Sequence, residues 1–302
     1  MSIRILLFGA HGWIGNQLLH LLQVHPHIEV ITIATSRPQY VEDLRAELDQ
    51  VQPTHVVSTI GRTHGQINQI EIPTIDYLEY PGKLQENVCD NLYAPLVLAH
   101  ECTKRNIHYT YLGTGCIFEY DDNHPMVNTL IGFTENDCPN FFGSSYSIVK
   151  GYTDQLMHLY DTHTLNVRIR MPITAEPNPR DFITKICNYE RICSMPNSMT
   201  VLDELLPLLV DMIVTRRTGT IQLTNPGTIS HEEILTLYKE ICDHNKTWKT
   251  MSYDDQTQLL KSKRSNNSLD TTLLQTWYPE VSDIHTAIYT TLVKRKQLYN
   301  VL

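Results

Sequence analysis

A glycine-rich turn near the N-terminus limits the folds open to this chain more than any other feature of its sequence. Residues 3–8 form a continuous apolar run that predicts a buried strand, and apolar side chains recur at helical spacing over residues 13–24. Gly9, Gly12 and Gly15 lie at the junction of these two segments. In a strand–turn–helix unit, such glycines permit a tight turn, close approach of a pyrophosphate and close helix–strand packing. The sequence therefore predicts a dinucleotide-binding βαβ unit.

The alternation of apolar strands and amphipathic helices continues beyond this first unit. Further strands are predicted over residues 28–34, 55–60, 107–113 and 166–171, and further helices over residues 40–51, 87–105 and 146–160. Strands that alternate with helices form parallel sheets covered on both faces, which is why these strands are apolar throughout. The pattern predicts an α/β fold with a Rossmann-type, doubly wound parallel sheet.

The alternation of strands and helices changes after Pro172, where prolines become frequent and the predicted elements become shorter. Helices are predicted over residues 203–214, 231–243 and 283–298. Ser230 and Glu233 form a capping-box pattern at the start of the second of these helices. We therefore assign residues 1–172 to the dinucleotide-binding domain and residues 173–302 to a smaller C-terminal α/β region, with chain segments that cross back to the sheet.

Composition excludes several classes of partner. The net charge is −9 and no long basic run is present, so nucleic acid is not an expected ligand. The most apolar stretch, residues 205–214, is broken by Asp211 and is too short to cross a bilayer. The seven cysteines are scattered and contain no Cys-x-x-Cys pair, which argues against structural zinc and against disulfides. We expect a cytoplasmic protein without a metal site.

The segment after the second predicted strand bears on the choice of cofactor. An NAD site usually has an acidic residue there for the ribose 2′-hydroxyl, but this chain has Thr35, Ser36 and Arg37. A guanidinium can bind a 2′-phosphate with two hydrogen bonds, so the sequence favours NADPH; the alternative is a solvated loop arginine. The predicted cofactor-binding residues are Gly9, Gly12, Trp13, Ile14, Gly15, Ser36, Arg37, Thr59, Ile60, Gly61, Tyr146 and Lys150.

Three residues in chain order point to reduction of a carbonyl group. Tyr146 and Lys150 are four apart and therefore share one face of a predicted helix, and Thr114 follows the strand before it. An ammonium group near a phenol is expected to lower the pKa of the phenol, which can then protonate a carbonyl oxygen as hydride arrives. The Thr114 hydroxyl can hydrogen-bond the same oxygen. The alternative is an ordinary surface helix.

Cys116 lies two residues after Thr114. A lone cysteine is most often a small buried hydrophobic residue. Next to a carbonyl-reducing site, however, its thiol could also act as an acid or base on a proton α to the carbonyl.

Several long segments resemble one group of extended short-chain dehydrogenase/reductases, the enzymes that complete deoxysugar synthesis. The chain is similar to dTDP-4-dehydrorhamnose reductases and GDP-fucose synthases, and most similar to the bifunctional UDP-4-keto-6-deoxyglucose 3,5-epimerase/4-reductases of plant rhamnose synthases. The similarity lies in residues 113–121, 170–173, 178–186, 196–207, 224–227 and 264–267. Residues 57–63 and 65–82 depart from the family pattern, which leaves the role of the second segment open.

The resemblance implies an activity and a set of site residues. Thr114, Tyr146 and Lys150 would reduce the C4 ketone with NADPH, and Cys116 and Lys185 would form the epimerising acid/base pair, with the base unassigned. The other implied residues are the supporting Asn91 and the nucleotide-sugar ligands Asn178, Arg180, Asn197 and Arg264. The implied product is UDP-L-rhamnose, and a homodimer is possible. The alternatives are a reductase acting only on dTDP- or UDP-4-keto-L-rhamnose, and a non-catalytic NADP-binding regulatory subunit.

Overall fold

The computed structural model describes residues 2–299, which divide into two units. Within the described residues, the first unit comprises residues 2–117, 138–168 and 206–221, and the second comprises residues 118–137, 169–205 and 222–299. The chain thus passes repeatedly from one unit to the other. The division into an NADP-binding domain, residues 1–172, and a nucleotide-sugar-binding region, residues 173–302, with segments that cross back to the sheet, stays a prediction.

The elements of the first half of the chain alternate as predicted, apart from a hairpin over residues 65–72 that the sequence did not predict. They are β1 (Ile3–Phe8), α1 (Trp13–Gln23), β2 (Ile28–Ile33), α2 (Val41–Val51), β3 (His55–Ser58), β4 (Gly65–Ile67), β5 (Ile70–Ile72), a 3₁₀ turn (Ile75–Glu79), α3 (Lys83–Val88), a π-helical turn (Cys89–Tyr93), α4 (Ala94–Lys104), β6 (His108–Thr114), α5 (Ser145–Met157), a 3₁₀ turn (His158–Tyr160) and β7 (Thr164–Ile169).

The second half is richer in short elements. They are α6 (Phe182–Cys187), β8 (Arg191–Ile192), α7 (Leu202–Val214), β9 (Gly219–Gln222), α8 (His231–Ile241), β10 (Lys249–Thr250), α9 (Tyr253–Leu259), α10 (Thr272–Trp277) and α11 (Ile284–Tyr299). None of the helices within residues 2–299 combines the length and apolar character needed to span a membrane.

The main sheet has six strands in the order β2-β1-β3-β6-β7-β9. Strand β1 pairs in parallel with β2 on one side and β3 on the other, and β3 pairs in parallel with β6. Strand β2 thus lies on one side of β1, and the strands that follow it in the chain lie on the other side. This order confirms the doubly wound α/β fold. Ligands of such sheets bind beyond the carboxyl ends of the strands at this switch point, between β1 and β3.

Apolar side chains of the strands pack against one face of each neighbouring helix. Leu44 and Leu48, four apart on α2, and Leu98 on α4 are buried with Leu6 and Val56 of the sheet. This spacing places the two leucines of α2 on a single face, so the helix is fixed by burial of that face.

The helix predicted over residues 87–105 is wrong in one respect, because a π-helical turn interrupts it. Pro95 has no backbone N–H and so leaves the carbonyl of Asn91, four residues earlier, without its helical donor. Thr153 Oγ1 on α5 donates to that carbonyl instead, at 2.6 Å. The π turn brings the Asn91 side chain toward the loop after β3, where it donates to the backbone oxygen of Arg62 at 2.9 Å.

In the second unit, α6, α8 and α11 share one core. Their buried residues include Ile183, Ile186, Ile234, Leu235, Ile288 and Leu292. The capping box predicted at the start of α8 is confirmed, because Ser230 Oγ accepts the backbone N–H of Glu233 at 3.3 Å and Glu233 Oε2 accepts that of Ser230 at 2.8 Å.

Candidate active site

The turn between β1 and α1 contains the glycines predicted to bind a cofactor. Gly9 has a φ of +80°, and a Cβ atom there would lie 2.5 Å from Thr59 Oγ1. A Cβ atom on Gly15 would overlap the carbonyl of Gly9, so only glycine lets α1 begin this close to the strand. No side chain described in the structure caps α1, which begins with Trp13 and Ile14. The free amides of this first turn fit the pyrophosphate of a dinucleotide.

The loop after β3 lies beside this turn and is held in place from two sides. Thr59 donates its backbone N–H to Phe8 O at 3.0 Å and its hydroxyl to Gly9 O at 3.1 Å. Asn91 Oδ1 accepts the backbone N–H of Arg62 at 2.9 Å. Thr59, Ile60 and Gly61 are thus placed at the switch point of the sheet, but their contact with a cofactor stays a prediction.

One carboxylate fixes the loop after β2. Glu47 on α2 accepts hydrogen bonds from the backbone and hydroxyl groups of Thr35, at 2.7 and 2.8 Å, and of Ser36, at 3.1 and 2.5 Å. Burial raises the pKa of Glu47, but these four bonds outweigh burial and lower it. Arg37 is exposed, and within residues 2–299 its side chain has no hydrogen bond or ion pair. Such a guanidinium is available to a 2′-phosphate.

The structure brings Thr114 and Tyr146 together. Thr114 ends β6, Tyr146 lies in the first turn of α5, and the two hydroxyl groups are hydrogen-bonded. Burial raises the pKa of Tyr146 well above its ordinary value, Cys116 raises it further, and the bond to Thr114 lowers it. The phenol is therefore protonated at neutral pH and can act as an acid.

Lys150 is held by a residue that the sequence did not indicate. Its Nζ donates a hydrogen bond to the hydroxyl of Tyr111 on β6 and lies 4.6 Å from the centre of the Tyr111 ring. Burial lowers the pKa of Lys150 to about 7, while Asp154 and Cys116 raise it. The expectation that this lysine lowers the pKa of Tyr146 is wrong here, because burial dominates the pKa of the phenol and the ammonium group is bound elsewhere.

Cys116 packs against Tyr146. It lies with Tyr146, Tyr77 and Leu78 in one apolar cluster, and the residue is partly exposed. The backbone carbonyl of Cys116 accepts a hydrogen bond from Ser147 Oγ at 2.8 Å, which ties the segment after β6 to α5. The structure thus places Thr114, Cys116, Tyr146 and Lys150 around the carboxyl end of β6.

The segment whose role the sequence left open, residues 65–82, covers this cluster. Its hairpin and 3₁₀ turn place Tyr77 and Leu78 against Tyr146 and Cys116. Glu79 accepts the first backbone N–H of α5, from Ser145, at 2.7 Å. A carboxylate is favourable at a helix N-terminus, so Glu79 helps to fix the helix that carries the tyrosine and lysine.

In the second unit, Lys185 lies on α6 among other cations. Burial lowers the pKa of Lys185, Arg180 and Arg264 lower it further, and Asp181 raises it. Both guanidinium groups therefore lie near enough to repel the ammonium. Asn178 Oδ1 accepts the backbone N–H of Arg180 at 2.9 Å and so shapes the turn that carries it. A lysine with a lowered pKa is suited to proton transfer.

Asn197 differs from the other predicted substrate ligands, because it is fully buried. Its Oδ1 accepts hydrogen bonds from Arg170 Nη2 at 2.6 Å and from the backbone N–H of Asn267 at 3.1 Å, and its Nδ2 donates to Asn266 Oδ1 at 2.9 Å. In this structure Asn197 therefore joins two segments of the second unit, and its contact with a substrate stays a prediction.

Arg295 and its partner Asp181 were not indicated by the sequence. Asp181 is the N-cap of α6 and accepts the backbone N–H of Thr184 at 2.7 Å. Arg295 on α11 donates to Asp181 Oδ2 at 2.7 Å, and both side chains are buried. The two residues lie far apart in the chain, so no local pattern could reveal the pair. Among residues 2–299 no group of three His, Cys, Asp or Glu side chains is placed to hold a metal ion.

Comparison with known proteins adds to this geometry. The sequence model of the NAD dependent epimerase/dehydratase family matches residues 5–186. The crystal structure of the L780 UDP-rhamnose synthase from Acanthamoeba polyphaga mimivirus is similar, with 52% sequence identity and a TM-score of 0.91, over 97% of this chain and 100% of that one. The bifunctional dTDP-4-dehydrorhamnose 3,5-epimerase/dTDP-4-dehydrorhamnose reductase of Arabidopsis thaliana is 39% identical, over 94% of this chain and 90% of that protein.

A more distant structure shares the fold alone. The dTDP-4-dehydrorhamnose reductase from Bacillus anthracis, in complex with NADP, is 14% identical with a TM-score of 0.75, over 97% of this chain and 99% of that one.

Proposed function

This chain belongs to the NAD dependent epimerase/dehydratase family, and we propose that it is an NADPH-dependent enzyme that makes UDP-L-rhamnose. It would epimerise UDP-4-keto-6-deoxy-D-glucose at C3 and C5 and then reduce the ketone at C4. The observation that carries this proposal is the cluster of Thr114, Cys116 and Tyr146, with Lys150 on the same helix face. In this cluster a thiol lies beside two hydroxyl groups that would serve the reduction of a carbonyl group. The similarity to the viral UDP-rhamnose synthase supports it.

We place the proposed cofactor site at the switch point of the sheet. The open amides after Gly12 would hold the pyrophosphate, and Ser36 and Arg37 would meet the 2′-phosphate. Lys150 would bind the ribose next to the nicotinamide. When bound, NADPH supplies the hydride that reduces the C4 ketone.

Epimerisation comes before reduction, because only a ketone at C4 makes the hydrogens on C3 and C5 acidic. Removal of either proton leaves an enolate, and return of the proton to the opposite face inverts that carbon. We assign this exchange to Cys116 and Lys185. Because its pKa is lowered, Lys185 exchanges its proton more readily than an ordinary lysine, and a thiol can serve as its counterpart.

In the reduction, Tyr146 is the acid. Its raised pKa keeps the phenol protonated until negative charge develops on the C4 oxygen. Thr114, bonded to the phenol, orients the same oxygen, and the Lys150 cation stabilises the phenolate that remains.

The second candidate is a reductase that accepts only an already epimerised 4-keto sugar, linked to UDP or dTDP. The shared fold with dTDP-4-dehydrorhamnose reductase favours it as the alternative. The nucleotide-sugar substrate, the cytoplasmic location and the homodimer are proposals that rest on the sequence and the resemblance.

One assay separates the two candidates. The enzyme is given UDP-4-keto-6-deoxyglucose and NADPH without a separate epimerase, and the product is identified by mass spectrometry and NMR. We expect a rhamnosyl product from the wild type. Cys116→Ala should lower its formation about 10²–10⁴-fold, since an acid or base is lost, yet should still reduce pre-epimerised UDP-4-keto-L-rhamnose.

The matched control is Cys138→Ala, because Cys138 is also a free cysteine but is exposed. It should leave both reactions unchanged. The dTDP-linked sugars, assayed in parallel, decide the nucleotide. If the wild type reduces only the pre-epimerised sugar, the reductase candidate is correct.

A further inference from the structure

The ammonium form of Lys150 lies in a buried place where a charge is costly. Its side chain is only 4% exposed, and burial alone would favour the neutral amine. An ammonium group has three N–H donors, and each one without an acceptor in the interior costs free energy. The groups around Lys150 therefore decide whether it remains a cation during the reaction.

The titratable and charged groups near Lys150 come from several elements. Asp154 and Tyr146 share its helix, Cys116 follows β6, and Tyr111 lies on β6 itself. Asp154 raises the pKa of Lys150 through its charge. The carboxylate of Asp154, however, already accepts hydrogen bonds from Arg168 at 2.8 and 2.6 Å and from Asn166 at 2.8 Å.

Tyr111, unlike Asp154, directly accepts a hydrogen bond from the ammonium group of Lys150. Its hydroxyl accepts a hydrogen bond from Nζ, and its ring face lies 4.6 Å away, within the range of a cation–π interaction. A phenol differs from a carboxylate in being neutral. It can hold the ammonium without cancelling its charge, which stays available to a developing phenolate and to the cofactor.

We infer that Tyr111 is a positioning residue for the reduction, which holds Lys150 as an oriented cation next to Tyr146. This inference rests on the proposed function, because it assigns Tyr111 to the step in which Lys150 acts. It concerns a residue of β6 that precedes the Thr-Gly-Cys segment and that no catalytic pattern in the sequence includes.

The test compares Tyr111→Phe with Tyr109→Phe. Both tyrosines are buried in β6 and belong to the same apolar cluster, but within residues 2–299 no hydrogen bond or ring contact joins Tyr109 to Lys150. Reduction of pre-epimerised UDP-4-keto-L-rhamnose is measured as kcat against pH. Because Tyr111→Phe removes an acceptor of the charged form, the alkaline limb that reports Lys150 should move down by about one pH unit.

Tyr109→Phe should keep the wild-type pH profile. Both variants retain the aromatic ring, and thermal unfolding confirms that each is folded. If Tyr111→Phe also keeps the wild-type profile, the residue only fills space and the inference is overturned.

A second readout separates this inference from the proposed function. The affinity for NADPH, followed by nicotinamide fluorescence against pH, does not require turnover. If the wild type fails to reduce the sugar, the proposed function fails, but a lower-pH loss of NADPH affinity in Tyr111→Phe alone would still support the role of Tyr111. Identical binding profiles in all three proteins would exclude it.

Discussion

Two lysines are assigned to the proposed reaction, Lys150 in the first unit and Lys185 in the second. Both lie near a buried ion pair, but their immediate surroundings differ. Each lies four residues from an aspartate that is buried with an arginine, Asp154 for Lys150 and Asp181 for Lys185. The ammonium group of Lys150 is hydrogen-bonded to a tyrosine. Lys185 has no side-chain hydrogen bond or ion pair within the described residues, and two guanidinium groups repel it.

This difference suits the two lysines to different chemical roles. A hydrogen-bonded ammonium is fixed in place and suits a residue that orients a cofactor and stabilises charge. An unbonded amine among like charges releases its proton readily and is free to move toward a substrate carbon. The buried pairs Asp154–Arg168 and Asp181–Arg295 fix the backbone that carries each lysine, while the local partners decide what the lysine does.

The largest effect should come from removing each lysine in turn. In Lys185→Met, solvent deuterium should enter C3 and C5 of UDP-4-keto-6-deoxyglucose about 10²–10⁴-fold more slowly, while reduction of the pre-epimerised sugar continues. In Lys150→Met the pattern should be reversed, with deuterium exchange intact and reduction lost. NMR follows the exchange, and NADPH absorbance follows the reduction.

Lys239→Met is the matched control, because Lys239 is an exposed lysine on α8. It should affect neither reaction. If Lys150→Met and Lys185→Met each lose both reactions to the same extent, the two lysines do not have separate roles in epimerisation and reduction.

The next largest effect should come from the buried aspartates. Asp154→Asn and Asp181→Asn keep the side-chain shape but remove the carboxylate that pairs with Arg168 or Arg295. Breaking a buried ion pair in this way costs about 3–5 kcal/mol, so each variant should unfold at a clearly lower urea concentration. Circular dichroism during urea unfolding provides the measurement.

The surface pair of Asp49 and Arg105 supplies the control for this experiment. Asp49 is 69% exposed and lies 3.3 Å from Arg105, so Asp49→Asn should cost less than about 1 kcal/mol. A buried variant that is no less stable than Asp49→Asn would show that its pair does not fix the helix.

The sequence predicted the parts of the molecule that depend on local pattern. Apolar runs and helical spacing identified the strands and helices around the sheet, because burial of one face fixes both. The glycine turn was identifiable because only glycine tolerates the φ of Gly9 and the closeness of α1. The capping box at Ser230 needs only two residues three apart, so it was visible as well.

Features that depend on distant residues could not be predicted. The π turn at Asn91 needs both a proline four residues later and a threonine on another helix. Tyr111 looks like any buried strand residue until α5 places Lys150 above its ring. The hairpin over residues 65–72 consists of short, partly exposed strands without a strong apolar pattern, so its packing near Tyr146 had no sequence signal.

The smallest expected effect concerns the charges around Lys185, and it decides which role that lysine has. Arg180 lowers the pKa of Lys185, so Arg180→Gln should raise it, and the limb of the deuterium-exchange profile that reports Lys185 should move to higher pH. The shift should shrink as salt is added, because ions screen the repulsion. Since Arg180 is also a proposed substrate ligand, the rate is measured at saturating sugar.

The control is Arg191→Gln, which should leave the profile unchanged. Arg191 is an exposed arginine of the same unit and is not among the groups that shift the pKa of Lys185. If the acid limb moves, Lys185 must be neutral to act and is the base; if the alkaline limb moves, it is the acid and Cys116 the base. A profile in which neither limb moves would show that repulsion from Arg180 does not tune Lys185.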